Sequence, residues 1–92
     1  MNVAVLITVT QPGGSPQEAE RFQALLHETI RTAPGFIFHV DGPLEGGWQI
    51  VNAWESRTDF ERWFHSHVKP NLRGDQALAV PTISDLAHVV LR

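Results

Sequence analysis

Gly46-Gly47-Trp48-Gln49-Ile50-Val51-Asn52-Ala53-Trp54-Glu55-Ser56 runs without a break into Arg57-Thr58-Asp59-Phe60-Glu61-Arg62-Trp63-Phe64-His65-Ser66-His67. The first part is rich in Trp and β-branched residues and predicts a strand over residues 48–55. On that strand Asn52 shares one face with Trp48, Ile50 and Trp54. Ser56 with Asp59 three residues on is a capping-box-like helix start. The helix that follows carries Phe60, Trp63, Phe64, His67 and Val68 on one face. Three tryptophans and two of the five histidines fall within this short span, in a chain with no Tyr and no Cys. The strand-to-helix junction therefore decides the fold and marks where function should be sought.

Working outward, residues 36–41 predict a second strand, joined to the first by a hairpin connection over residues 42–47. Before it, Ser15-Pro16-Gln17-Glu18 combines an N-cap Ser, a Pro at the first helical position and a capping-box Glu. Ala19, Phe22, Leu25, Leu26, Thr29, Ile30 and Ala33 then share a helix face, with His27 on the polar side beside Glu20, Gln23 and Arg31. Pro34-Gly35 ends that helix. Residues 3–9 are a nearly continuous β-favouring run, which predicts a strand covered on both faces, with a turn over residues 11–14. Residues 69–81 read as an irregular connector with a short turn near Gln76, and residues 82–91 as the last strand.

The order βαββαβ is the split pattern of a ferredoxin-like α+β fold. It predicts one domain over residues 1–92, with a four-stranded antiparallel sheet and two helices on one of its faces. The first and last strands are apolar on both sides, so the bare sheet face also needs cover. A second copy is the simplest cover, which predicts a C2 homodimer.

Composition narrows the function classes. The net charge is −3, with one Lys and six scattered Arg, so clustered cations for nucleic acid are lacking. No apolar run has the length of a membrane-spanning helix, and the opening residues lack the basic segment of a signal peptide. A cytoplasmic protein with no membrane partner is expected. Without Cys there are no disulfides, thiol nucleophiles or thiolate metal sites.

On these residues the chain resembles the dimeric α/β-barrel superfamily, which includes the antibiotic-biosynthesis monooxygenase-like proteins. Val51-Asn52-Ala53-Trp54-Glu55-Ser56, continued through Phe64, is similar to that superfamily's strand-to-helix junction, and Pro34-Gly35-Phe36 is similar too. The resemblance implies a homodimer whose two sheets close a barrel, with a pocket in each subunit between sheet and helices. Trp63 stands where haem-degrading members place a pocket Trp and where a polyketide-cyclase member has a catalytic Tyr. His67-Val68 resembles the His-Val pair of that cyclase if two residues are deleted, and Trp48 falls at its strand histidine. Haem-degrading members carry a helix histidine near the position of Arg73 and a strand asparagine where this chain has Val5 and Leu6. The histidine common in the second helix of many monooxygenase-like members is here Trp63.

Among polar candidates, His67 shares the predicted buried face of Trp63 and Phe60, while His65 is rotated outward. A neutral imidazole there is a general base or a histidine bonded to a backbone carbonyl. Asn52 is a ligand-orienting amide or a structural bridge. His39 is a base, a satisfied strand histidine or a dimer contact, and His88 poses the same alternatives. Trp63, Trp48, Trp54, Phe22 and Phe64 are the expected substrate-binding wall. His65 and His67 diverge on a helix and cannot share an ion, so no metal and no cofactor is expected. The resulting expectation is a cofactor-independent, monooxygenase-like enzyme for a hydrophobic aromatic or polyketide-like small molecule. The alternatives are a cyclase or isomerase working by proton transfer, and a non-catalytic ligand-binding or stress-associated barrel.

Overall fold

The computed structural model describes residues 3–12, 16–71 and 80–92. β1 (Val5–Pro12) leads to α1 (Pro16–Arg31), then β2 (Phe36–Leu44), β3 (Gly47–Trp54), α2 (Arg57–Trp63) and β4 (Thr82–Asp85). The strands form one sheet in the order β2-β3-β1-β4, every neighbour antiparallel. This is the expected ferredoxin-like α+β arrangement. No helix of the described residues is long and apolar enough to cross a membrane.

The capping residues act as their chemistry predicts. Ser56 Oγ accepts from the Asp59 backbone N–H at 3.1 Å and donates to Asp59 Oδ2 at 2.9 Å, so it closes the first turn of α2. Gly35 follows α1 with a φ of +84°, and a Cβ there would run into the Asp59 side chain. The end of one helix and the start of the other are therefore packed together at a glycine. Its carbonyl accepts from Glu55 N–H at 2.7 Å.

Three boundaries differ from the sequence expectation. Gln11 and Pro12, foreseen in a turn over residues 11–14, still pair with Trp48 and Gly47, and the rest of that turn lies outside the described residues. The hairpin is correspondingly tight: Leu44 pairs with Gly47, and Glu45 and Gly46 alone make the turn, with Gly46 at φ +81°. β4 spans four residues instead of the ten expected. Antiparallel pairing puts Asp85 opposite Val5, where β1 begins, and one further bond joins Leu86 N–H to Ala4 O. Beyond it Val89, Val90 and Leu91 are exposed. The connector turn expected near Gln76 lies outside the described residues.

Strand parity divides the sheet. Val5, Ile7, Trp54 and Asn52 face the helices, and Val5, Ile7 and Trp54 pack with Leu26 and Ile30 of α1, Phe60 and Trp63 of α2, and Val68. Trp54 is the hub, fully buried, with its ring 5.3 Å from Trp63 and 6.0 Å from Phe60. The opposite face carries Leu6, Phe38, Val40, Val51 and Ala53, of which Val40 is 56% exposed.

Candidate active site

α2 does not end as a regular helix. Residues Phe64–Val68 form a π turn, and Lys69 N–H bonds to Phe64 O five residues back, before a 3₁₀ turn at Lys69–Asn71. The wider turn advances the buried stripe from the fourth to the fifth residue after Trp63. Val68 is buried, whereas His67 is exposed. The expectation that His67 faces the sheet beside Trp63 and Phe60 is thereby corrected. His67 does share with Trp63 the lining of a groove of about 260 Å³, formed by residues of both helices that include Thr29, Pro34, Asp59 and Arg62. His65 is exposed as expected, and so is His88.

The buried polar groups assemble elsewhere. His39 and Asp41 alternate on β2 and so share one face, and His39 stands opposite Asn52 in register. That is the helix side, not the bare face where a dimer contact would lie. His39 Nε2 is 2.7 Å from Asp41 Oδ2, and both side chains are nearly buried. α1 brings His27 over the same strand, its Nε2 3.4 Å from that carboxylate oxygen and its ring 5.1 Å from that of His39. His27, placed by sequence on the polar side of α1, thus sits where the helix surface meets β2.

The Asp41 carboxylate settles the His39 tautomer. A carboxylate oxygen only accepts, so Nε2 carries the proton and Nδ1 presents a free lone pair. That Nδ1 is buried and has no hydrogen-bond partner among the described residues. Burial holds the His39 pKa below the ordinary 6.5, against the opposing pull of Asp41. At neutral pH this is an uncharged imidazole, oriented at one nitrogen and basic at the other.

Asn52 is oriented by the same logic. Trp54 Nε1–H donates to its Oδ1 at 2.7 Å, and an indole can only donate, so the amide Nδ2 points away. Asn52 is therefore a structural bridge through its oxygen. Trp48 lies on the same strand face, half-buried, and its indole N–H is an orphaned donor among the described residues. Trp63 Nε1–H is bound to Thr29 Oγ1 at 3.0 Å. Trp54 and Trp63 belong to the packed core, and Phe64 leans on Phe60 at 5.5 Å. The Phe22 side chain and Arg73 lie outside the described residues.

Spacing alone missed His27 and Asp41. The alternation of His39 with Asp41 was the available signal; the helix crossing was not legible. Together the three supply a histidine–histidine–aspartate set that the sequence analysis did not foresee. Haem is a poor fit: Val5 is packed into the core where the haem-degrading pattern needs an asparagine, and the three described histidines after Trp63, His65, His67 and His88, are exposed.

No family model and no curated protein matches this chain. Solved structures do. The heme-degrading protein Rv3592 of Mycobacterium tuberculosis is 21% identical with a TM-score of 0.71, covering 100% of both chains. The monooxygenase ActVA-Orf6 of Streptomyces coelicolor, solved with nanaomycin D, is 21% identical with a TM-score of 0.63, over 98% of this chain and 93% of that one. SnoaB of Streptomyces nogalater, a cofactor-independent oxygenase, is 14% identical with a TM-score of 0.62, over 99% and 97%. The chain shares its fold with these proteins.

Proposed function

We propose that this protein is a cofactor-independent, monooxygenase-like enzyme for a flat hydrophobic substrate of aromatic or polyketide type. One observation carries the proposal: a buried imidazole tied to Asp41 at Nε2 and left unpartnered at Nδ1. In this scheme His39 Nδ1 removes a proton from an acidic methylene or phenol, and Asp41 stabilises the imidazolium that forms. The Trp48 indole N–H and the Asn52 amide N–H₂ are the donors proposed for a developing oxyanion. The substrate carbanion reduces dioxygen to a peroxide, which loses water. The methylene becomes a carbonyl, one oxygen atom enters the product and the other leaves as water. The likeness in fold to SnoaB and ActVA-Orf6 supports the reaction class, and the nanaomycin D complex of the latter supports the substrate class.

The working unit in this proposal is a homodimer, with the apolar face around Val40 covered by a second copy. Light scattering should give twice the chain mass, and Val40→Glu should return it to one.

The catalytic test is oxygen uptake with a tricyclic anthrone. His39→Gln should lower turnover by roughly 10²–10⁴-fold, the usual worth of a general base, with the circular dichroism spectrum unchanged. Product isomerised without oxygen uptake would move the chemistry to the cyclase or isomerase class. Unaltered turnover in His39→Gln would refute the base assignment.

A further inference from the structure

His27, His39 and Asp41 each offer one donor atom, and these three atoms lie within 4.8 Å of one another. We infer that they form a binding site for one divalent transition ion of the Zn²⁺ class. The set joins two elements: His39 and Asp41 from alternate positions of β2, and His27 from α1. The inference stands on this cluster and not on the oxygenase proposal.

The spacing can close on one ion with small side-chain shifts. Ligands about 2.0–2.2 Å from a tetrahedral zinc lie roughly 3.3 Å apart. His27 Nε2 and Asp41 Oδ2 are separated by 3.4 Å, at the outer limit of a hydrogen bond and close to that ligand spacing. His39 Nε2, at 2.7 Å from the same oxygen, would move back by several tenths of an ångström. Two imidazoles select zinc, cobalt or nickel over magnesium and calcium, which prefer oxygen donors. Three protein ligands leave a tetrahedral position open to water or substrate, unlike a closed structural site. His27 is 43% exposed, so the ion has a route in.

Loading has a consequence for His39. An ion on Nε2 takes the position of the proton, which a neutral imidazole must then carry on Nδ1. If His39 is the base proposed above, the loaded form cannot accept a proton there.

The test is calorimetric titration of ZnCl₂ into the full chain after chelator treatment and desalting. One saturable site per chain is expected, with no comparable binding of MgCl₂. His27→Ala and Asp41→Asn should each weaken it by roughly tenfold or more, in line with the loss of a ligand or its support. His67→Ala, at an exposed position outside the cluster, should leave it unchanged. If Asp41→Asn does not fold, His27→Ala decides alone, since His27 is half-exposed. No saturable zinc binding, or equal weakening by His67→Ala and His27→Ala, would overturn the inference. Binding is read without turnover, so its failure is separable from failure of the base assignment.

Discussion

The helix-facing side of this sheet has two halves of opposite character. Under α2, Trp54 meets Phe60 edge to face and Trp63 at a tilt, and both core indole N–H groups are bonded, to Asn52 and to Thr29. Beside the C-terminal part of α1, His27, His39 and Asp41 crowd together, and His39 has a buried nitrogen without a partner among the described residues. The first half is complete as built; an unpaired buried acceptor in the second costs about 1–3 kcal/mol. In the proposed scheme stability rests on the first half and chemistry on the second, and Asn52 joins the first through its oxygen.

Substitutions should respect that division. Trp54→Ala should give the largest loss of stability, about 3–5 kcal/mol, out of a total of about 5–15 kcal/mol for an ordinary domain. Chemical denaturation would measure it; a loss under 1 kcal/mol would erase the distinction between the halves. His39→Gln should do the reverse, abolishing most turnover while leaving the denaturation midpoint nearly in place.

The pH dependence sharpens the same contrast. The folded-state pKa of His39 lies below its ordinary 6.5 because burial penalises the charged ring. Below pH 6.5 the unfolded chain therefore binds more protons than the native one, so stability rises with pH through that window. The contribution of this group is complete above 6.5 and is lost as the pH falls through the depressed folded value. Denaturation midpoints from pH 4 to 8 should show this slope in wild type, and His39→Gln should flatten it. Turnover should gain its basic form below pH 6.5; an apparent pKa well above that value would contradict a buried base.

Smaller effects follow at the helix starts and on the outer surface. Ser56→Ala removes both capping bonds of α2 and should cost about 1 kcal/mol, visible as a modest shift in Tm. His67→Ala should change stability by less than about 0.5 kcal/mol, as for other exposed positions, with turnover retained. A large loss of turnover there would move the chemistry from the sheet to the groove that His67 lines.

Much of this was legible in the residues alone. Ser56 with Asp59, Pro16, and Pro34-Gly35 bounded the helices, and the Trp48-to-Trp54 alternation placed Asn52 beside the core tryptophan. These are local signals: capping, helix ends and strand parity depend on residues a few positions apart. The order of elements then restricted the topology to the ferredoxin-like arrangement. What only the tertiary structure decided depended on distant contacts or on small helical irregularities. One extra residue in the turn after Trp63 put Val68 inside and His67 out, a change to which a fixed helical period is blind. The meeting of His27 with Asp41, fourteen residues away, required α1 to cross β2 at one place, and that crossing is set by how Leu26 and Ile30 seat against the sheet. Residue types and spacing specified the parts; close packing of the core determined which polar groups were brought together.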